Sequence, residues 1–207
     1  MSAAHESGVH THESLFRERT AHMIVFIVSA VLFFGLLGAG AAYRYLHDGR
    51  VPDISLNYLG AADRLLAAGN FNGALAQYRV VAGIAPDDDQ TWLRLGVAAQ
   101  ASGQMDEAIA AFSALLRIDP KRAVAHRMLG SIYLQNNRLD KAIMHNRAAI
   151  ALQPGMAEAH SNLGTALLRS GARDAAIASY RQALKIDPGL APARRSLESI
   201  GLSPEGQ

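Results

Sequence analysis

From residue 55 onward the chain repeats itself every 34 residues, without insertion or deletion, in four blocks cut at 55, 89, 123 and 157. Prolines stand in step at Pro86, Pro120, Pro154 and Pro188, and alanines at Ala74, Ala108, Ala142 and Ala176. A third register holds Ala62, Gly96, Gly130 and Gly164, and a fourth holds Gly69, Gly103, Asn137 and Gly171. A strict period of this length is one supersecondary unit copied several times. Each copy is too small to bury its apolar face alone and stacks on its neighbours to do so.

Within a block the spacing predicts two helices. Trp92, Leu95 and Ala99 fall at helical intervals, and Gly103 supplies the positive φ that ends a helix. A second helix is predicted from about Asp106 to Arg117, with Ala108, Ala111, Phe112 and Leu115 facing inward, and Pro120 cannot continue it. Small residues in two registers let the paired helices cross closely. After Pro188 the stretch LAPARRSLESIG carries Leu197 and Ile200 on one side, as expected of the helix that caps such an array.

These registers resemble the tetratricopeptide repeat (TPR), whose pattern is W-x2-L-G-x2-Y…A-x3-F…A…P at this period. Trp92, Leu95, Gly96, Ala108, Phe112 and Pro120 match it, as do Leu129, Gly130, Tyr133, Ala142, Ala149 and Pro154, and Leu163, Gly164, Ala176, Tyr180, Ala183 and Pro188. The first block is looser, with Tyr58 for Trp and Ala61-Ala62 for Leu-Gly, but keeps Ala74, Tyr78 and Pro86. Departures are His126 and His160 where an aromatic is expected, and Asn146 where Tyr or Phe is expected; these predict weaker packing around the third repeat. The resemblance covers 55–188 and implies an all-α, right-handed solenoid of four helix pairs with a C-terminal cap.

The resemblance also implies a use. Similar proteins hold an extended or helical partner segment on a concave surface lined mainly by the first helix of each repeat. The matching positions here are Leu59, Asp63, Leu93, Val97, Gln100, Arg127, Ser131, Gln135, Ser161, Thr165 and Arg169, apolar towards the first repeats and more polar towards the last. Such a lining suits an amphipathic or partly apolar protein segment. The clamp that some relatives build from Lys, Asn and Arg for a C-terminal carboxylate is not reproduced. Its positions hold Leu59, Asp63, Arg94, Val124 and Met128, or one repeat later Leu93, Val97, Met128, Glu158 and Asn162.

Before the repeats lies one apolar block, Met23 to Ala42, with no charge and only Ser29 as a polar side chain. At ~1.5 Å per residue a helix of that length spans about 30 Å, the thickness of a bilayer core. Arg17, Arg19 and His22 precede it, and Tyr43, Arg44, Tyr45 and His47 follow, as interface anchors do. A transmembrane helix over 23–46 is expected, after a polar tail at 1–22 and before a linker at 47–54. The repeats then occupy 55–88, 89–122, 123–156 and 157–188, with the cap and tail at 189–207. A cleaved signal peptide is the competing reading, but the tail is long and holds Glu6, Glu13 and Glu18, and the apolar run exceeds an h-region. Gly35 and Ala39, and Gly38 and Ala42, put small residues on one face, where another transmembrane helix could pack. The flanking arginines nearly tie, so the expected side, a bacterial inner membrane with the repeats in the periplasm, rests on the usual arrangement of a single N-terminal anchor.

Other chemistries find little support. With 20 Lys+Arg against 18 Asp+Glu the net charge is +2, and neither part of the chain is a polybasic nucleic-acid binder. The absence of cysteine excludes thiolate metal sites and a Cys nucleophile. There is no phosphate loop, nucleophile elbow or H-E-x-x-H motif. His5, His10, His12 and His22 lie in a tail with no fixed geometry, and His126 and His160 read as satisfied inter-helix histidines. Asp87, Asp88 and Asp89 read as helix-capping acids. The sequence therefore predicts no catalytic residue, cofactor, metal or small-molecule substrate. It predicts a membrane-anchored scaffold for protein partners associated with the membrane. The alternatives are an integral accessory subunit contacting its complex through the span, and a specificity subunit of envelope machinery such as cytochrome maturation or export.

Overall fold

The computed structural model describes residues 54–204. The expected span, its packing residues Gly35, Gly38, Ala39 and Ala42, and the tail histidines all lie outside them. Among the described residues no helix is long and apolar enough to cross a membrane.

The described chain is helical throughout. The helices are α1 (Ile54–Ala67), α2 (Phe71–Ile84), α3 (Asp89–Ala101), α4 (Met105–Ile118), α5 (Ala123–Gln135), α6 (Leu139–Leu152), α7 (Ala157–Arg169), α8 (Arg173–Ile186) and α9 (Ala191–Ser199). Each of the turns α1–α2, α3–α4, α5–α6 and α7–α8 contains one residue of positive φ: Gly69 (74°), Gly103 (79°), Asn137 (54°) and Gly171 (89°). The amide after each donates back to the preceding helix, Asn70 to Leu65 and Gln104 to Ala99 at 2.8 Å, which closes a Schellman motif and satisfies an otherwise orphaned carbonyl. Starts are capped where the sequence allows it. The Asn70 side chain accepts from the Gly73 amide at 2.9 Å, and Asp88 accepts from the Gln90 amide and the Thr91 hydroxyl.

Close approach within a pair follows from the small registers. Ala74, Ala108, Ala142 and Ala176 are fully buried. A Cβ added to Gly96 would lie 2.6 Å from the Phe112 ring, and one on Gly164 would lie 2.8 Å from the Tyr180 ring. The aromatic thus rests directly on the backbone of the first helix. In the third pair the same slot holds Asn146 over Gly130, fully buried, with Nδ2 donating to the Ala142 carbonyl at 2.8 Å and Oδ1 left without a partner. The weak point expected at this residue therefore has an atomic basis.

The histidines depart from the sequence expectation. Trp92 Nε1 donates to the Pro86 carbonyl at 2.7 Å, and Arg194 donates to the Pro188 carbonyl at 2.7 Å. Nε2 of His126 and of His160 bonds the carbonyls of Pro120 and Pro154 at 3.3 and 3.0 Å. What this slot requires is one N–H that ties down the inter-repeat turn, and a histidine supplies it as an indole does. The histidines therefore do not loosen the array at this point.

Second helices pack on the first helices that follow them, and α5 also packs on α7 and α7 on α9. No comparable contact joins one second helix to the next among the described residues. From α5 onward the first helices therefore sit on the inner side of the stack, with the second helices splayed on the outside. At its end α9 buries Ala193 and Leu197 against α7 and α8, as a cap should.

Candidate partner-binding groove

The inner side is built from α1, α3, α5 and α7. Leu59, Leu93 and Val97 are half-buried, their inner faces packed on the core and their outer faces open. Gln100, Arg127, Ser131 and Thr165 are also half-buried, while Asp63, Gln135 and Arg169 are exposed. Ser161 is the exception among the residues expected to line the groove. It is only 4% exposed, so it packs inside and does not line the groove, although it shares the register of the half-buried Leu93 and Arg127.

Several lining residues are held by bonds that the repeat pattern does not reveal. The Tyr78 hydroxyl donates to Asp63 Oδ1 at 2.6 Å, and Arg94 Nη1 donates to Asp63 Oδ2 at 2.9 Å from the next repeat. Burial, reinforced by the Asp63 carboxylate, pushes the Tyr78 phenol well above its ordinary pKa, so it stays a donor. In the last pair the Tyr180 hydroxyl reaches Thr165 Oγ1 at 3.0 Å, and Thr165 in turn donates to the Ser161 carbonyl at 3.1 Å. Where the aromatic is Phe112 the matching inner residue is Val97, which needs no hydrogen bond. Arg169 spans two pairs by donating to the Leu134 carbonyl at 3.1 Å.

The acidic end of the groove is therefore neutralised: Asp63 is taken up by Tyr78 and Arg94. Arg127 stands half-buried in the third repeat. The lining grades from aliphatic to polar, with few free charges and no group of three or more His, Cys, Asp or Glu close together among the described residues. It offers shape, apolar contact and hydrogen bonds.

A separate cluster stands where α5 meets α6. His126 and His145 approach through their Nδ1 atoms at 3.0 Å, Tyr133 stacks on the His145 ring, and the Lys141 ammonium lies 5.3 Å from the Tyr133 centroid. Burial, the His126 ring and Lys141 together lower the His145 pKa to about 4, so its imidazole is neutral at neutral pH. The sequence reading missed His145. It compared only His126 with His160, and the pairing joins two registers within one repeat.

Two family models described as tetratricopeptide repeat match the chain, one over residues 65–132 and 99–144 and the other over 127–191. Among solved structures, the crystal structure of MamA protein is 30% identical, with a TM-score of 0.66, and the match covers 73% of this chain and 85% of that one. TTC0263, a thermophilic TPR protein of Thermus thermophilus, is 22% identical at a TM-score of 0.60, covering 71% of this chain and 83% of that one. The first TPR of Spaghetti (RPAP3), bound to the HSP90 peptide SRMEEVD, is 23% identical at a TM-score of 0.53, covering 54% of this chain and 89% of that one. No curated protein sequence matches the chain. With the repeat matched from residue 65 to residue 191 and a solved relative 30% identical over most of its length, the chain belongs to the tetratricopeptide repeat family.

Proposed function

We propose that this chain is a membrane-anchored scaffold, with the apolar segment at 23–42 as its anchor and the inner groove of the repeats as its recognition surface. The groove takes a segment of a partner protein, and the anchor confines that partner beside the bilayer, so that a complex is tethered or assembled there. Confinement raises the effective concentration of membrane partners without any new contact. The reading is of an interaction module and not of an enzyme, in keeping with a family whose members are generally scaffolds. In RPAP3 the same fold holds a peptide. We place the repeats on the periplasmic side of a bacterial inner membrane, from the arrangement of a single N-terminal anchor.

The observation that carries this reading is the graded lining: half-buried Leu59, Leu93 and Val97 at one end, and Arg127, Gln135 and Arg169 at the other. A partner segment of matching chemistry is amphipathic, its apolar part over α1 and α3 and its polar part over α5 and α7. The test is affinity capture of the full chain from mild-detergent membranes, beside a Leu93→Asp/Val97→Asp variant and a form whose 23–42 segment is replaced by an unrelated apolar helix. The groove variant is expected to lose the partner while keeping its helical content, and the replaced-span form to keep it. A partner retained by the groove variant and lost with the native span would overturn the scaffold reading in favour of an integral subunit.

A further inference from the structure

On the outer face, where α6 and α8 splay apart over α7, lies an open hollow of about 400 Å3. Ile150, Leu163 and Ala178 line it with carbon, and Arg147, His160 and Ser179 are among its polar lining. The repeat itself accounts for the hollow, because residues 34 apart take equivalent places and can be compared from one pair to the next. Where the first helix meets the second at this level, the second repeat combines Trp92 with Ala111, the third His126 with His145, and the fourth His160 with Ser179. The second repeat has one large ring there and the third has two small ones, so the fourth is one ring short. Beside it, the place of Met144 is taken by Ala178.

The third repeat shows what fits such a place. Nε2 of His126 bonds the Pro120 carbonyl and must carry the proton, because a carbonyl only accepts. Its Nδ1 is then an acceptor, and the His145 ring donates to it from Nδ1 at 3.0 Å. His160 makes the same Nε2 bond to the Pro154 carbonyl at 3.0 Å, so its Nδ1 is an acceptor too. Ser179, which stands where His145 does, turns its hydroxyl to the Ala175 carbonyl at 2.9 Å instead. We propose that this hollow is a docking site for a tryptophan side chain of a partner protein. The indole N–H donates to Nδ1 of His160, the ring rests on Ile150, Leu163 and Ala178, and the Arg147 guanidinium is near enough to lie over its face. Indole suits a lining that is mostly carbon better than imidazole does, and it always presents its one N–H as a donor. A second copy of this chain does not supply the ring, since its single tryptophan, Trp92, is half-buried and already donates to the Pro86 carbonyl. The partner is therefore a different protein, held on the outer face while the inner groove stays open for its own segment.

Nuclear magnetic resonance of the full chain in detergent, with labelled histidine rings, tests this. The probes are the tripeptides glycyl-tryptophyl-glycine and glycyl-phenylalanyl-glycine, and the His160 signals are assigned by their loss in His160→Gln. These signals are expected to shift and saturate with the tryptophan peptide. The phenylalanine peptide, which lacks the side-chain N–H, is expected to bind roughly fivefold more weakly. The His126 signals are expected to stay in place, because its Nδ1 is already bonded to His145. Ser179→His copies the pair of the third repeat and Ala178→Met copies Met144, and either is expected to abolish the shift by filling the hollow. Met144 is 57% exposed, so Ala178→Met tests occupancy without straining the core. No shift of His160 with the tryptophan peptide, an equal response to both peptides, or a response that survives both substitutions overturns the site. Saturation by free indole with no response to the tryptophan peptide makes it a small-molecule site and equally overturns the docking of a partner.

Discussion

Replacing Asn146 by tyrosine is expected to stabilise the third helix pair. In the second and fourth pairs the slot over the small residue of the first helix is filled by Phe112 and Tyr180, whose rings rest on Gly96 and Gly164. In the third pair it holds a fully buried asparagine with Oδ1 unpartnered. Removing an orphaned buried acceptor recovers roughly 1–3 kcal/mol. Burying a ring adds about 1.5–3 kcal/mol, and fitting it among neighbours settled around a smaller side chain costs about 1–3 kcal/mol. The net is a gain of about 2 kcal/mol, or a rise of roughly 6 °C in the unfolding midpoint for an array of this size. Far-ultraviolet circular dichroism of the full chain in detergent reads the midpoint. Amide hydrogen exchange reads where the gain falls, because stacked repeats open locally, and the added protection is expected in α5 and α6. Asn146→Leu separates the two contributions, since it removes the acceptor without adding a ring. An unchanged or lowered midpoint in both variants would refute the reasoning, and would mean that the acceptor is already satisfied and the slot already full.

Gly164→Ala places a methyl 2.8 Å from the Tyr180 ring and is expected to destabilise by about 1–3 kcal/mol; an unaltered denaturation midpoint would show that the pair can part at no cost. Tyr78→Phe removes the 2.6 Å bond to Asp63 and is expected to cost about 1 kcal/mol. A double-mutant cycle with Asp63→Ala measures that coupling, and a value near zero would reduce the contact to coincidence.

The helix pairs were legible because their causes are local. A residue that must adopt positive φ, a proline that must end a helix and an alanine that must fit beneath a neighbour each recur at one register, and periodicity exposes them. Asn137 could be read as a turn in a register otherwise held by glycine, and its φ of 54° bears this out. The slot six residues after each proline was read by the wrong property. Trp92, His126, His160 and Arg194 share no shape or polarity, only an N–H at the right reach, and a reading in terms of aromatic packing makes two of them anomalies. Ser161 shares the register of Leu59, Leu93 and Arg127, which are half-buried, so the period carries no sign that this copy is covered. The Tyr78–Asp63–Arg94 link and the His126–His145 pair join different registers, where a period says nothing about proximity.

The ties between successive helix pairs change in kind along the stack. Among the described residues the three ion pairs, Arg79–Glu107, Arg94–Asp63 and Arg122–Asp89, all join the first three pairs. Further along, Arg169 and Arg173 reach backbone carbonyls of Leu134 and Ile200. Exposed charges attract through solvent and are screened over about 8 Å at physiological ionic strength, whereas a bond to a carbonyl depends little on salt. The stack is therefore a spring of uneven stiffness. Concentrated salt slackens the ties among the first three pairs and leaves those further along taut.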